Sequence, residues 1–189
     1  METVLKAPKG EHALTFKASS SLVRNVPARR AISIRPMQDA DRSFIYRGLS
    51  DTNWRDIPDD QKTELDRTVC DKLVFDDFER FVKTERFKFR VFVAVSETNN
   101  QVGFISVGEL TNPCVGLPYG AVLDFWVVPE LRRQGIGGRL LDYALEYLQS
   151  KRYTHAGILA SSSNRQAVSL YEKRGFYVDR VALMKRLRS

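Results

Sequence analysis

The most constraining stretch of the chain runs from Ala121 to Lys151. Ala121 to Val128 is almost wholly apolar, with Asp124 as its one charge. Such a run reads as a buried central strand. Val127-Val-Pro-Glu-Leu-Arg132-Arg-Gln-Gly135-Ile-Gly137-Gly138 then turns the chain. From Gly135 to Lys151, apolar residues recur at Ile136, Leu140, Leu141, Ala144, Leu145 and Leu148, the stripe of an amphipathic helix. A helix start leaves about four backbone N–H groups without intrahelical partners and carries the positive end of the helix dipole. Glycines there let an anion come close, so the segment predicts a phosphate or pyrophosphate site. The plain alternative is a glycine-rich turn with no ligand. Two common phosphate motifs are excluded by spacing. The dinucleotide fingerprint needs a small residue where Leu140 stands, and no Gly-Lys-Ser/Thr is present for a P-loop.

The rest of the chain supplies the partners of that unit. Ile32 to Arg35 alternates as a first strand, ended by Pro36, and Asp41 is placed to cap a helix through Phe44, Ile45 and Leu49. Ser50 to Asp60, with Asp51, Asp56, Asp59, Asp60 and Trp54, reads as an acidic loop, whose carboxylates and indole face would attract a cationic ligand, the plain alternative being a solvated loop. Leu65, Val69, Leu73, Phe78, Phe81 and Val82 have helical spacing. Phe89–Val95 and Val102–Leu110 alternate around Thr98-Asn99-Asn100, the signature of an antiparallel hairpin. Thr111 to Gly120 reads as a loop. Gly157 to Ala160 is a short strand, Asn164 to Arg174 a helix stopped by Gly175, and Phe176 to Leu187 is expected to add one or two closing strands. The predicted fold class is α/β (α+β) around one mixed sheet of six to seven strands, flanked by about four helices.

The 189 residues suit one domain, expected over 30–189. Residues 1–29 read as a flexible basic extension, with Lys6, Lys9, Lys17, Arg24 and Arg29 against Glu2 and Glu11. The net charge of +7 comes mainly from the two termini. A basic surface attracts polyanions, but neither zinc-finger spacing nor an aromatic RNA-binding signature accompanies it, so specific nucleic-acid binding is not expected. No apolar run is long enough to span a membrane. Cys70 and Cys114 do not make a disulfide framework, which favours a cytoplasmic protein.

One family now comes into view. Arg132-x-x-Gly135-x-Gly137 after a buried strand and a Val-x-Pro turn resembles the acetyl-CoA pyrophosphate loop of the GNAT superfamily of N-acetyltransferases. Asn164-Arg-Gln-Ala167-Val-Ser-Leu170-Tyr171-Glu-Lys-Arg-Gly175-Phe176 resembles its second motif at every fixed position. Ile34-Arg35-Pro36 followed by Asp41 is similar to the superfamily's usual start. The resemblance covers about residues 32–187.

It implies a GNAT-like fold, acetyl-CoA as acyl donor with no metal, and direct transfer of acetyl to a primary amine, a small-molecule acceptor being favoured. A protein amine as acceptor is the alternative, and a non-catalytic acyl-CoA-binding domain is the alternative of another class. By the resemblance, main-chain groups of Trp126, Val127 and Val128 pair with the pantetheine arm, Val127 N–H faces the thioester oxygen, and Arg132, Arg133, Gln134, Gly135, Ile136, Gly137 and Gly138 hold the pyrophosphate. Asn164 contacts pantetheine or simply caps its helix. Tyr171 lies beside the sulfur and protonates the thiolate. The general base stays open. Ribosomal-protein N-terminal acetyltransferases of the superfamily carry a glutamate where Leu159 stands, and polyamine acetyltransferases one where Leu123 stands. Asp124 and Glu109 are the remaining candidates. The sequence leaves the oligomeric state open, a homodimer included.

Overall fold

The computed structural model describes residues 31–84, 86–185 and 187; the expected N-terminal extension lies outside them. The elements are β1 (Ile32–Pro36), α1 (Arg42–Asp56), a single turn α2 (Asp59–Lys62), α3 (Arg67–Thr84), β2 (Arg90–Ser96), β3 (Gln101–Thr111), β4 (Pro118–Val127), α4 (Ile136–Ser150), β5 (Ala156–Ile158) and α5 (Arg165–Glu172). The sheet order is β1-β2-β3-β4-β5. The first four strands are antiparallel, and β5 joins β4 in parallel. This is the expected mixed α/β architecture.

Strand alternation sends two apolar sets to opposite faces. Phe92, Ile105, Val107 and Val122 meet Leu140, Leu141, Ala144 and Leu148 of α4. Val93, Phe104 and Trp126 meet Ile45 and Leu49 of α1 and Phe78 of α3. Helix α1 comes close because Gly48 has no side chain: a Cβ there would strike the rings of Phe104 and Trp126.

Three expectations are corrected. Ser50–Asp60 is not a loop. Helix α1 continues to Asp56 and ends at Ile57, which is extended (φ −70°, ψ 130°) because Pro58 disfavours helical backbone in the residue before it. Asp41 does not cap α1 through its side chain. Its buried carboxylate accepts from Arg35 Nη1 (2.6 Å) and Nη2 (2.9 Å), Gln38 N (2.8 Å) and Gln101 Nε2 (3.0 Å). Among the described residues the sheet has five strands, not six or seven. The run after Gly175 is not in a strand, and Tyr177, Val178, Val181, Leu183 and Met184 are 72–89% exposed. The edge strand β5 is itself only three residues long.

Candidate active site

A cleft of about 1100 Å³ opens where β4 and β5 part. Their pairing stops at Val122 and Ile158, so among the described residues β4 runs on from Leu123 to Val127 without a partner strand on that side. Which amides face the gap follows from the β3 ladder. In an antiparallel pair, residues alternate between exchanging both backbone bonds and turning both groups outward. Val128 N–H bonds Val102 C=O at 3.1 Å, so the next pair, Val127 with Gly103, turns its polar groups out. Val127 and Phe125 thus present backbone N–H and C=O to the cleft. Arg132 Nε meets the Val127 carbonyl at 3.0 Å. Trp126, in register with Phe104, belongs to the alternating set that bonds β3.

One end of the cleft is the start of α4. Arg133 (φ 63°) and Gly135 (φ 84°) are both left-handed. They bring the chain into the helix so that the amides of Ile136, Gly137 and Gly138 precede the first bond, Arg139 N–H to Gly135 C=O at 3.2 Å. These amides have no intrahelical acceptor. A Cβ on Gly135 would meet nothing within 4 Å, whereas one on Gly137 would press on Phe125 at 3.1 Å. Gly135 therefore serves the left-handed entry to the helix, and Gly137 packs helix on strand. This is a cradle for an anion, as a pyrophosphate requires.

The structure gathers most of the expected residues. Trp126, Val127, Arg132, Arg133, Gly135, Gly137, Gly138, Asn164, Tyr171 and Asp124 line the cleft. Val128, Gln134 and Ile136 do not: Val128 packs against the α1 side, Gln134 is exposed with its side chain near the Glu130 carbonyl, and Ile136 is buried in the core. Asn164 caps α5 by accepting from Ala167 N at 3.2 Å. Tyr171 is 8% exposed and packs between Phe125 and Phe176. Burial pushes its phenol up to about 12; Arg55 pulls it down and Asp56 pushes it up through space.

The two carboxylate candidates part company. Asp124 sits at a register shift of β3 and β4 between Ser106 and Val107. Its N–H bonds Ser106 Oγ at 2.8 Å, and that hydroxyl donates to Asp124 Oδ2 at 2.6 Å. Burial raises the Asp124 carboxyl above the usual carboxylate range, and the Ser106 bond opposes this. Glu109 does not line the cleft. It pairs with Lys88 at 2.6 Å and accepts from Tyr153 OH at 2.6 Å, and these bonds hold it below its ordinary value.

The Ser50–Asp60 stretch does border the cleft, as the end of α1 and not as a loop; sequence reasoning singled out Asp56 there but missed Thr52, Asn53 and Arg55, which line the same wall. It also missed Ser106, whose signal was a polar residue inside the apolar run Val102–Val107. No group of three or more His, Cys, Asp or Glu side chains among the described residues is arranged to hold a metal.

Comparison with known proteins agrees with this geometry. Residues 51–176 match the acetyltransferase (GNAT) family. The uncharacterized N-acetyltransferase YhfO of Bacillus subtilis (strain 168) is 31% identical over 103 residues, spanning 53% of this chain and 68% of that protein. A predicted acetyltransferase of Clostridium acetobutylicum, solved with acetyl-CoA, has a similar fold at a TM-score of 0.61, with 18% identity over 83% of this chain and 97% of that one. An aminoglycoside antibiotic 6′-N-acetyltransferase of Acinetobacter baumannii does so at 0.61, with 16% identity over 84% of this chain and 100% of that one.

Proposed function

The chain belongs to the acetyltransferase (GNAT) family, and from that premise we propose that it moves the acetyl group of acetyl-CoA onto the primary amine of a small molecule. The observation that carries this reading is the convergence, on one cleft, of the α4 amides, the outward-facing Val127 amide, the Tyr171 phenol and the Asp124 carboxylate.

The residues divide the work by position. The free amides ahead of Arg139, with Arg132 and Arg133, hold the pyrophosphate. The outward groups of Phe125 and Val127 bind the pantetheine amides as a neighbouring strand would. The outward Phe125 N–H, on the Asp124 side of Val127, stands where a carbonyl oxygen gaining charge can be stabilised. Amine attack forms the C–N bond and breaks the C–S bond. The sulfur leaves as thiolate and takes the Tyr171 proton. Burial holds the phenol at about 12, so its proton is in place when the thiolate forms, while the high value lowers the driving force for giving it up. An acceptor amine has an ordinary pKa of about 10.4 and must shed a proton to react. Asp124, raised by burial, is the better placed acceptor of that proton because Glu109 is held elsewhere by Lys88 and Tyr153.

The test is release of free thiol from acetyl-CoA across a panel of small amines and peptides. Amine-dependent release, with acetylated small amine as product, is expected. Release confined to peptides would refute the small-molecule reading. Tight acetyl-CoA binding with no release for any acceptor would refute catalysis.

A further inference from the structure

The acidic reading of Ser50–Asp60 implied an acceptor rich in positive charge. Three of its four aspartates are ion-paired. Asp51 is paired with Arg67 (3.6 Å), Asp56 with Arg55 (2.9 Å) and Asp59 with Lys62 (2.8 Å). The end of α1 brings one arginine and one unmatched hydroxyl to the cleft, and β4 brings one unmatched indole N–H.

Arg55 gives its Nε to Asp56. Among the described residues, no hydrogen bond uses its two Nη atoms, and the side chain is 42% exposed at the cleft wall. Asp56 therefore fixes the guanidinium and leaves its outer edge for a ligand. That edge suits a planar carboxylate. Arg55 and Asp56 line the same cleft as Tyr171 and Asp124. Two buried polar side-chain atoms, Thr52 Oγ1 and Trp126 Nε1, have no hydrogen-bond partner among the described residues, and both residues line the cleft. The Trp126 indole lies against Gly48, and Thr52 is one turn further along the same face of α1. A buried polar group without a partner calls for an explanation, and a ligand supplies one.

We propose that the acceptor is an amino-carboxylate: a small molecule whose amine enters beside Asp124 while its carboxylate docks on the Nη edge of Arg55, with oxygen atoms matching Trp126 N–H and Thr52 O–H. This deepens, and rests on, the acetyl-transfer reading above. Arg55 acts here as a specificity residue. Its bond is made to a part of the acceptor that does not react, so it acts mainly on KM.

The experiment compares kcat/KM, by thiol release, for aminopentanoate, its amide, diaminopentane and pentylamine, together with shorter members of each series. The carboxylate series is expected to lead. Arg55→Gln is expected to reduce the carboxylate-to-amide ratio about ten- to a hundredfold, the range for a hydrogen bond to a charged group, through KM more than kcat. Thr52→Val, nearly isosteric, is expected to raise KM for the carboxylates. Diamines or neutral amines matching the carboxylates overturn the inference and leave the acetyl-transfer reading standing. A ratio unmoved by Arg55→Gln does the same. Absence of release with every amine, while acetyl-CoA still binds, overturns both.

Discussion

Gly135→Ala separates backbone conformation from ligand access more cleanly than any other change in the α4 loop. Gly135 has φ 84°, and an added Cβ would meet nothing within 4 Å. No clash therefore enters the ledger. The folded state bears only the cost of a left-handed alanine, about 1–2 kcal/mol. For a chain of this size that is a fall in Tm of about 2–8 °C. Gly135 lines the cleft and directly precedes the free amides of Ile136, Gly137 and Gly138, where a pyrophosphate would seat. A methyl group there should raise the Kd for acetyl-CoA at least about tenfold, or 1.4 kcal/mol. Calorimetry on the folded variant reads this directly. Gly137→Ala is the informative contrast, because its Cβ would meet Phe125 at 3.1 Å and Leu170 at 3.7 Å; it probes packing first. An unchanged Kd in Gly135→Ala would refute the placement of the phosphates at this helix start.

The remaining predictions concern the chemistry and the frame that holds it. Tyr171→Phe keeps the packing against Phe125 and Phe176 and removes the proton, so turnover should fall about 10²–10⁴-fold with little change in acetyl-CoA affinity; wild-type turnover with chemistry rate-limiting would remove Tyr171 from the mechanism. Ser106 lowers the Asp124 carboxyl against burial, so Ser106→Ala should move the acid limb of the kcat/KM profile to higher pH and Asp124→Asn should abolish it; a limb unmoved by either change excludes Asp124 as base. Burial alone would push Asp41 up, but bonds from Arg35, Gln101 and the Gln38 amide hold it at about 2. A carboxyl depressed on folding stabilises above its unfolded value near 4 and loses that contribution as pH falls toward 2. Denaturant titrations should therefore lose on the order of 2 kcal/mol over that window, and Asp41→Asn should flatten the loss; parallel curves would refute the assignment.

What was legible in the sequence was local. The apolar run ending at Val128, the glycines from Gly135 and the stripe from Ile136 to Leu148 each carry their own periodicity, and the structure places strand, turn and helix accordingly. Asp51 and Asp56 misled because acidic composition resembles a loop, while Ile45 and Leu49 anchor α1 in the core and no residue stops it before Pro58. Glu109 misled for a different reason. Alternation assigns a side chain to a face but not to a position along the sheet. In register, Asp124 faces Ser106 while Glu109 faces Gly120, about 10 Å further along β3 at strand rise. The closing strand expected after Gly175 depended on a ladder partner, and pairing between distant segments leaves little local trace.

The cleft itself grows out of one irregularity. Upstream of Leu123, β4 pairs Val122 with Val107; downstream, it pairs Asp124 with Ser106. Leu123 is the extra residue of a bulge, and a bulge re-aims the side chains beside it. β5 lets go of β4 at Val122, so the bulge falls at the point where the free edge begins. The Asp124 amide is diverted to Ser106 Oγ, which holds the carboxylate at the head of that edge, and the outward groups of Phe125 and Val127 follow in sequence toward the α4 amides. A regular ladder through Leu123 would shift the residues beyond it by one, and a one-residue slip exchanges the faces. Asp124 would leave its Ser106 partner, and the outward amides would pass to Trp126 and Asp124. The same displaced residue therefore orders the anion cradle, the amide edge and the carboxylate along a single line.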